Sequence, residues 1–190
     1  MRIAGRGLIN REAPVSFTFD GRRYDGFAGD TVASAMLANG QRLMGRSFKY
    51  HRPRGVLSAG SEEPNALVTT GVGPASEPNV RATMQEIYEG LAVRSQNAWP
   101  SLDLDLMAVN DLASPFLGAG FYYKTFMWPR KFWKHVYEPV IRRAAGLGRL
   151  SGQPNADAYE KTYAFCDLLV IGAGPAGLMA ALVAARAGAD

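Results

Sequence analysis

Cysteine is almost missing from this sequence, with one residue, Cys166, among 190. A lone thiol excludes an internal disulfide, and with only two histidines no Cys/His cluster has metal-ligand spacing. No metal site is expected, and a reducing compartment, the cytoplasm, is the expected location. The amino end also lacks a continuous apolar stretch: "MRIAGRGLINREAPVSF" carries Arg2, Arg6 and Arg11 and is not a signal peptide. Near the other end, Leu168 to Ala185 is free of charge, close to the length of about 20 residues that spans a membrane. Gly172, Gly174 and Pro175 interrupt it near its front, as a turn between strand and helix would. Neither sign of charge dominates: 21 basic against 17 acidic residues leave a net +4, which favours an anionic partner only weakly. With 47% hydrophobic and 20% charged residues, the chain has enough apolar material for a core and one or two domains.

What is present begins with "VSFTFDGRRYDGFAGDTVASAMLANG". Val15, Phe17 and Phe19 alternate with Ser16 and Thr18, the period of a half-buried strand. Asp20-Gly21 suits a two-residue hairpin turn with positive φ at both positions, which sets Phe17 opposite Tyr24. Asp30 or Thr31 can cap a helix whose apolar stripe is Val32, Ala35 and Met36, stopped by Asn39-Gly40. A hairpin followed by a helix resembles the opening of the β-grasp fold of plant-type ferredoxins. In such a domain the cluster thiolates come next, but Gly45 to Val68 contains no cysteine. A [2Fe–2S] centre takes four thiolates, or two with two histidines. The expectation is therefore a ferredoxin-like β-grasp domain without iron–sulfur ligands, and no iron–sulfur cluster among the cofactors.

At the carboxyl end, "CDLLVIGAGPAGLMAALVAARAGAD" places Gly172, Gly174 and Gly177 in the order G-x-G-x-x-G. Leu168 to Ile171 reads as a buried parallel strand and Pro175 to Ala187 as a helix ending at Gly188. This pattern gives a tight turn, then close approach of a pyrophosphate to the backbone, then close packing of helix on strand. Gly172, Ala173, Gly174, Pro175, Ala176 and Gly177 are the candidate cofactor-binding residues. The acidic residue that selects the ribose lies about 20 residues onward in such folds. Asp190 directly follows the helix, too early for that role, so NAD and FAD stay open on the residues alone. One strand and one helix cannot enclose a nucleotide. The fold class is thus α/β, with the β-grasp domain followed by the first strand–turn–helix of a Rossmann-type domain, in a chain expected to be a fragment.

Two further stretches carry charge. Arg46, Lys49, His51, Arg52 and Arg54 are interleaved with Phe48 and Tyr50, a pattern suited to holding a phosphate or to a solvated loop. His51 has no nucleophile or orienting carboxylate identifiable with it in the sequence, so it has no catalytic assignment. Between Phe121 and Arg149, Lys124, Arg130, Lys131, Lys134, Arg142, Arg143 and Arg149 face only Glu138. Phe132, Trp133, Val136, Tyr137 and Val140 fall on one face at helical spacing, which favours a docking surface over a nucleic-acid or membrane surface. Met84 to Trp99 is compatible with a strand or a short helix.

"GDTVASAMLANG", "RSFKYHRPRG", "EEPNALV", "VNDLASPFLGAGFYYKTFMWP", "IRRAAGLG" and the glycine turn together resemble, in order, the N-terminal part of the alpha subunits of heterotetrameric sarcosine oxidases. The resemblance implies oxidative demethylation of sarcosine to glycine, with hydrogen peroxide released and the one-carbon unit passed to tetrahydrofolate. It implies NAD at the glycine turn, with FAD as the alternative, FAD and FMN in the assembled complex, and beta, gamma and delta subunits as partners. In that family the amine and folate sites lie elsewhere, so no catalytic residue is expected within 1–190. Small-molecule amine and folate are the complex's ligands; nucleic acid and membrane are disfavoured as partners. The other readings are a related amine oxidase or dehydrogenase subunit, or a small basic protein associating with nucleic acid or membrane through Phe121 to Arg149. The expected divisions are 12–97 for the β-grasp domain, 98–163 for an aromatic and basic connecting region, and 164–190 for the start of the dinucleotide domain.

Overall fold

A computed structural model describes residues 2–3, 5–116, 118, 120, 126, 128–155 and 157–190. They divide into two compact units, Met1–Ala156 and Asp157–Asp190.

In the first unit, β1 (Asn10–Phe19) and β2 (Arg22–Ala28) form the expected antiparallel hairpin, with Phe17 opposite Tyr24. Asp20 and Gly21 have φ of 50° and 77°, the left-handed pair that matches the twist of the flanking strands. Helix α1 (Val32–Ala38) follows. Its cap is Thr31, in a reciprocal box: Thr31 Oγ1 accepts from Ser34 N at 3.2 Å and Ser34 Oγ accepts from Thr31 N at 2.9 Å. Asp30 is not the cap but a buried anchor, its carboxylate held by Arg2 at 2.5 and 2.7 Å. Asn39 and Gly40, the latter at φ 81°, stop the helix.

The short strands β3 (Gly45–Arg46) and β4 (Pro53–Arg54) pair with each other, apart from the main sheet. β5 (Leu67–Thr70), β6 (Glu77–Arg81) and β7 (Ala92–Ser95) complete a five-stranded sheet in the order β2-β1-β7-β5-β6. Of the stretch that is ambiguous in sequence, Ala92–Ser95 is strand, running parallel to β1 and antiparallel to β5. This hairpin, helix and central parallel pair make a β-grasp arrangement. Phe17 and Phe19 from β1, Val32 and Met36 from α1, Val68 from β5 and Val93 from β7 meet in one core. Burying each large side chain of that set contributes about 1.5–3 kcal/mol. Gly26 lies beneath α1, where a Cβ would stand 2.4 Å from Ile87 Cδ1 and 3.1 Å from Ala35 Cβ.

A helical run continues from Arg130–Phe132 through a π turn at Trp133–Tyr137 into α2 (Glu138–Ala144). The π turn brings Phe132 and Tyr137, five residues apart, edge to face at 6.3 Å. Phe132, Trp133, Val136 and Val140 stay largely exposed. Residues 121–125, including Lys124 of the expected basic stretch, lie outside the described residues.

The second unit contains α3 (Pro175–Arg186). Gly188 N–H reaches Ala185 O at 3.1 Å and Ala189 N–H reaches Ala184 O at 3.1 Å, a paired closure around Gly188 at φ 86°. The strand expected over Leu168 to Ile171 is absent: these residues are in no strand, and Leu169 and Ile171 are 71% and 90% exposed. A parallel strand draws its hydrogen bonds and its two covered faces from neighbours, and the described residues of this unit supply none. No described helix is long and apolar enough to cross a membrane.

Candidate functional site

The glycine turn is where backbone geometry and sequence pattern coincide. Gly172 has φ 110°, a conformation L side chains rarely adopt, and it turns the chain into α3. At Gly177 a Cβ would stand 2.0 Å from Gly172 O and 3.5 Å from Val170 Cγ1, so the first turn of the helix packs on the segment before it only without a side chain there. Gly174 differs from both. Its φ of −72° and ψ of 170° suit any residue, and a Cβ built on it would meet nothing within 4 Å. Folding therefore requires glycine at 172 and 177 but not at 174. The backbone at Gly174 is open, with no described residue against it.

Gly174 is the residue before the helix and no side chain caps α3; Pro175, at the first helical position, has no N–H to leave unsatisfied. The amides of the first turn, with the positive end of the helix dipole, make a place for negative charge. Ala173 and Ala176 are exposed on this turn and present no bulk beyond a methyl group. The turn can hold an anion and orient it; it has no nucleophile, acid or base. The six candidate residues are thus brought together on one exposed turn, and they fit a dinucleotide pyrophosphate.

The basic loop is not a set of free cations. Arg46 donates through Nε to Leu102 O at 2.9 Å and through Nη1 to His51 O at 3.2 Å. Arg52 pairs with Asp111, at 2.9 Å from Nε and 2.7 Å from Nη2. These two arginines tie the loop to the segment after β7, so the phosphate-holding pattern of the sequence is used largely for internal structure. His51 has the orienting carboxylate that sequence spacing does not reveal: Asp105 Oδ2 lies 2.6 Å from its Nδ1, and both side chains are buried. The other oxygen, Oδ1, accepts from Trp99 N and Met107 N at 3.1 Å each. A separation of 54 residues hides this pair from any local motif.

Glu63 is a second buried group without a sequence signal. Its Oε2 accepts from Leu57 N at 2.8 Å and Ser58 N at 2.7 Å, and its Oε1 from Asn65 N at 2.7 Å and Ala66 N at 3.1 Å. Burial alone would raise its pKa; the four backbone N–H donors prevail and hold it below the usual carboxylate value. The cysteine-free loop is closed around this carboxylate.

Comparison with known proteins places these observations in a family context. Residues 12–98 match the model of a family described as "2Fe-2S iron-sulfur cluster binding domain". This corrects two expectations: a ferredoxin-like β-grasp domain without iron–sulfur ligands, and a cofactor set with no iron–sulfur cluster. Over these residues the chain is similar to 2Fe-2S ferredoxin-type domains. The hairpin and helix carry the ferredoxin-like class in the sequence; the absence of a cluster rests on the missing cysteines alone. The donor set is a separate matter. The matched residues contain no cysteine and one histidine, His51, whose Nδ1 is engaged by Asp105, so they do not fit a four-ligand cluster and none is assigned to one.

Over 99% of its length the chain is 69% identical to the sarcosine oxidase subunit alpha of Rhizobium meliloti, covering 19% of that protein. It is 36% identical over 95% of its length to the corresponding subunit of Corynebacterium sp. strain U-96, covering 14%. The chain thus spans less than a fifth of the length of these curated relatives. An L-proline dehydrogenase chain from P. horikoshii matches 48% of this chain and 17% of its own at 18% identity and a TM-score of 0.36, below the level of a shared fold.

Proposed function

Because this chain is a relative of sarcosine oxidase alpha subunits along nearly its whole length, we propose that it forms the N-terminal part of the alpha subunit of a sarcosine oxidase-like oxidoreductase complex. The complex oxidatively demethylates sarcosine to glycine, releases hydrogen peroxide and passes the one-carbon unit to tetrahydrofolate. Its other members are beta, gamma and delta subunits, it carries FAD and FMN, and it works in the cytoplasm. The 69% identity over 99% of the chain is the observation that carries this reading.

Within the complex, Gly172 to Gly177 hold the pyrophosphate of a dinucleotide, NAD on the family reading with FAD as the alternative. Support comes from Gly174, where the protein's own packing needs no glycine. The residues before 156 scaffold and dock, with the exposed aromatic face of the 130–144 helical run as a contact surface for the rest of the assembly. None of the residues discussed is assigned to the chemical step.

The test is oxygen consumption and peroxide release by the assembled complex containing the full-length subunit. Sarcosine-dependent turnover, coupled to one-carbon transfer when tetrahydrofolate is added, is the expected result. Turnover with a different secondary amine and none with sarcosine would replace the proposal with a related amine oxidase or dehydrogenase.

A further inference from the structure

A cavity in the first unit, about 470 Å³, lies at the end of the central strand β7, where the chain runs on into residues 96–99 and meets the 143–149 segment. That segment is held there by polar ties: Asn79 Oδ1 accepts from Gly148 N at 2.9 Å, and Gln96 Nε2 donates to Asn79 Oδ1 at 2.9 Å. His51, Arg94, Arg143 and Arg149 all line this cavity, and no carboxylate does. The described ion pairs involve none of these three arginines. Elsewhere in this unit Arg2 is paired with Asp30 and Arg52 with Asp111.

His51 sets this cavity apart from a patch of solvated arginines. It is 4% exposed and its Nδ1 is fixed by Asp105, itself fixed by two backbone amides. Asp105 as acceptor makes Nδ1 the donor in that pair, which leaves Nε2 as the ring nitrogen available to a ligand. Trp99, Met107 and Leu147 give the same cavity an apolar wall. Its size is within the usual range for a small-molecule site, about 300–1,000 Å³.

We infer that this cavity binds an organic phosphate, whose phosphoryl oxygens take donors from Arg94, Arg143, Arg149 and His51 while its organic part lies along Trp99. Three guanidinium groups suit an anion with several oxygens better than a single carboxylate, because each planar fork can engage its own oxygen pair. This site is separate from the glycine turn and stands on the first unit's residues alone.

Pyrophosphate serves as the probe, titrated into the 190-residue chain at constant ionic strength and followed by calorimetry and by the ring resonances of His51. Saturable binding that moves the His51 signals is expected. Arg143→Ala and Arg149→Ala should each weaken it by about tenfold, the scale of one hydrogen bond to a charged group. Both side chains are exposed, so the fold survives the changes. Arg42→Ala, on an exposed arginine that does not line the cavity, should leave binding unchanged. The inference is overturned if binding does not saturate, if Arg42→Ala weakens it as much, or if the His51 resonances stay in place. Succinate binding as tightly as pyrophosphate would overturn the phosphate assignment.

Discussion

Glu63 shows how much one side chain can organise. Its two oxygens take four backbone N–H groups from both sides of a loop, and the residue is 1% exposed. In Glu63→Gln the amide end brings N–H groups toward backbone N–H groups, stranding two buried donors. The cost is on the order of 3 kcal/mol, measured by denaturant unfolding at neutral pH. Acid dependence follows from the same contacts. A folded-state pKa held below the ordinary value means that the stability is fully present above the unfolded-state pKa and is lost as pH falls through the folded one. Asp30 acts in the same direction: burial opposes its charge, but Arg2, Ser34 and the Phe27 amide outweigh it. Wild-type stability should therefore decline on acidification from below about pH 4.3, the ordinary glutamate value, and the decline should be shallower in Glu63→Gln. An identical slope in the variant would show that Glu63 takes no part. Neither Glu63 nor the His51–Asp105 pair is legible in the sequence, because a buried carboxylate is written like an exposed one and its partners come from distant segments.

At the scale of elements, local signals served well wherever a turn or cap dictates the outcome. Asp20-Gly21 fixed the hairpin register, Asn39-Gly40 stopped α1, and Gly188 closed α3. Leu168 to Ile171 differs from its sequence expectation for a physical reason: a strand is a property of pairs, and an apolar run without a pairing neighbour leaves Leu168, Leu169 and Ile171 exposed. The three glycines of the turn, alike in sequence, are separated by the structure. Gly177→Ala places a methyl group against Gly172 O and should displace the start of α3, whereas Gly174→Ala meets open space and should leave the helix intact. Amide hydrogen exchange over Pro175–Arg186 distinguishes them. Equal protection in both variants would mean that Gly177 does not set the helix packing.

Among the described residues there is one core, and the buried apolar residues lie in the first unit, while α3 buries none. The cooperative unfolding transition should therefore belong to the β-grasp unit, and a chain cut after residue 156 should retain it. The 190-residue chain should bind NAD weakly, since one turn and one helix supply a pyrophosphate contact but neither a ribose acceptor nor an adenine pocket. Similarity of fold reaches further than ligand chemistry here: residues 12–98 match the model of a 2Fe-2S domain although they contain no cysteine. The proposed function rests on Gly172 to Gly177 acting as a pyrophosphate turn in the full-length subunit. It is tested most directly by the dinucleotide content of the full-length subunit carrying Gly174→Val, measured together with limited proteolysis. Loss of the bound dinucleotide with an unchanged proteolytic pattern of the β-grasp unit is the expected result; retention of dinucleotide at the wild-type level would contradict the account.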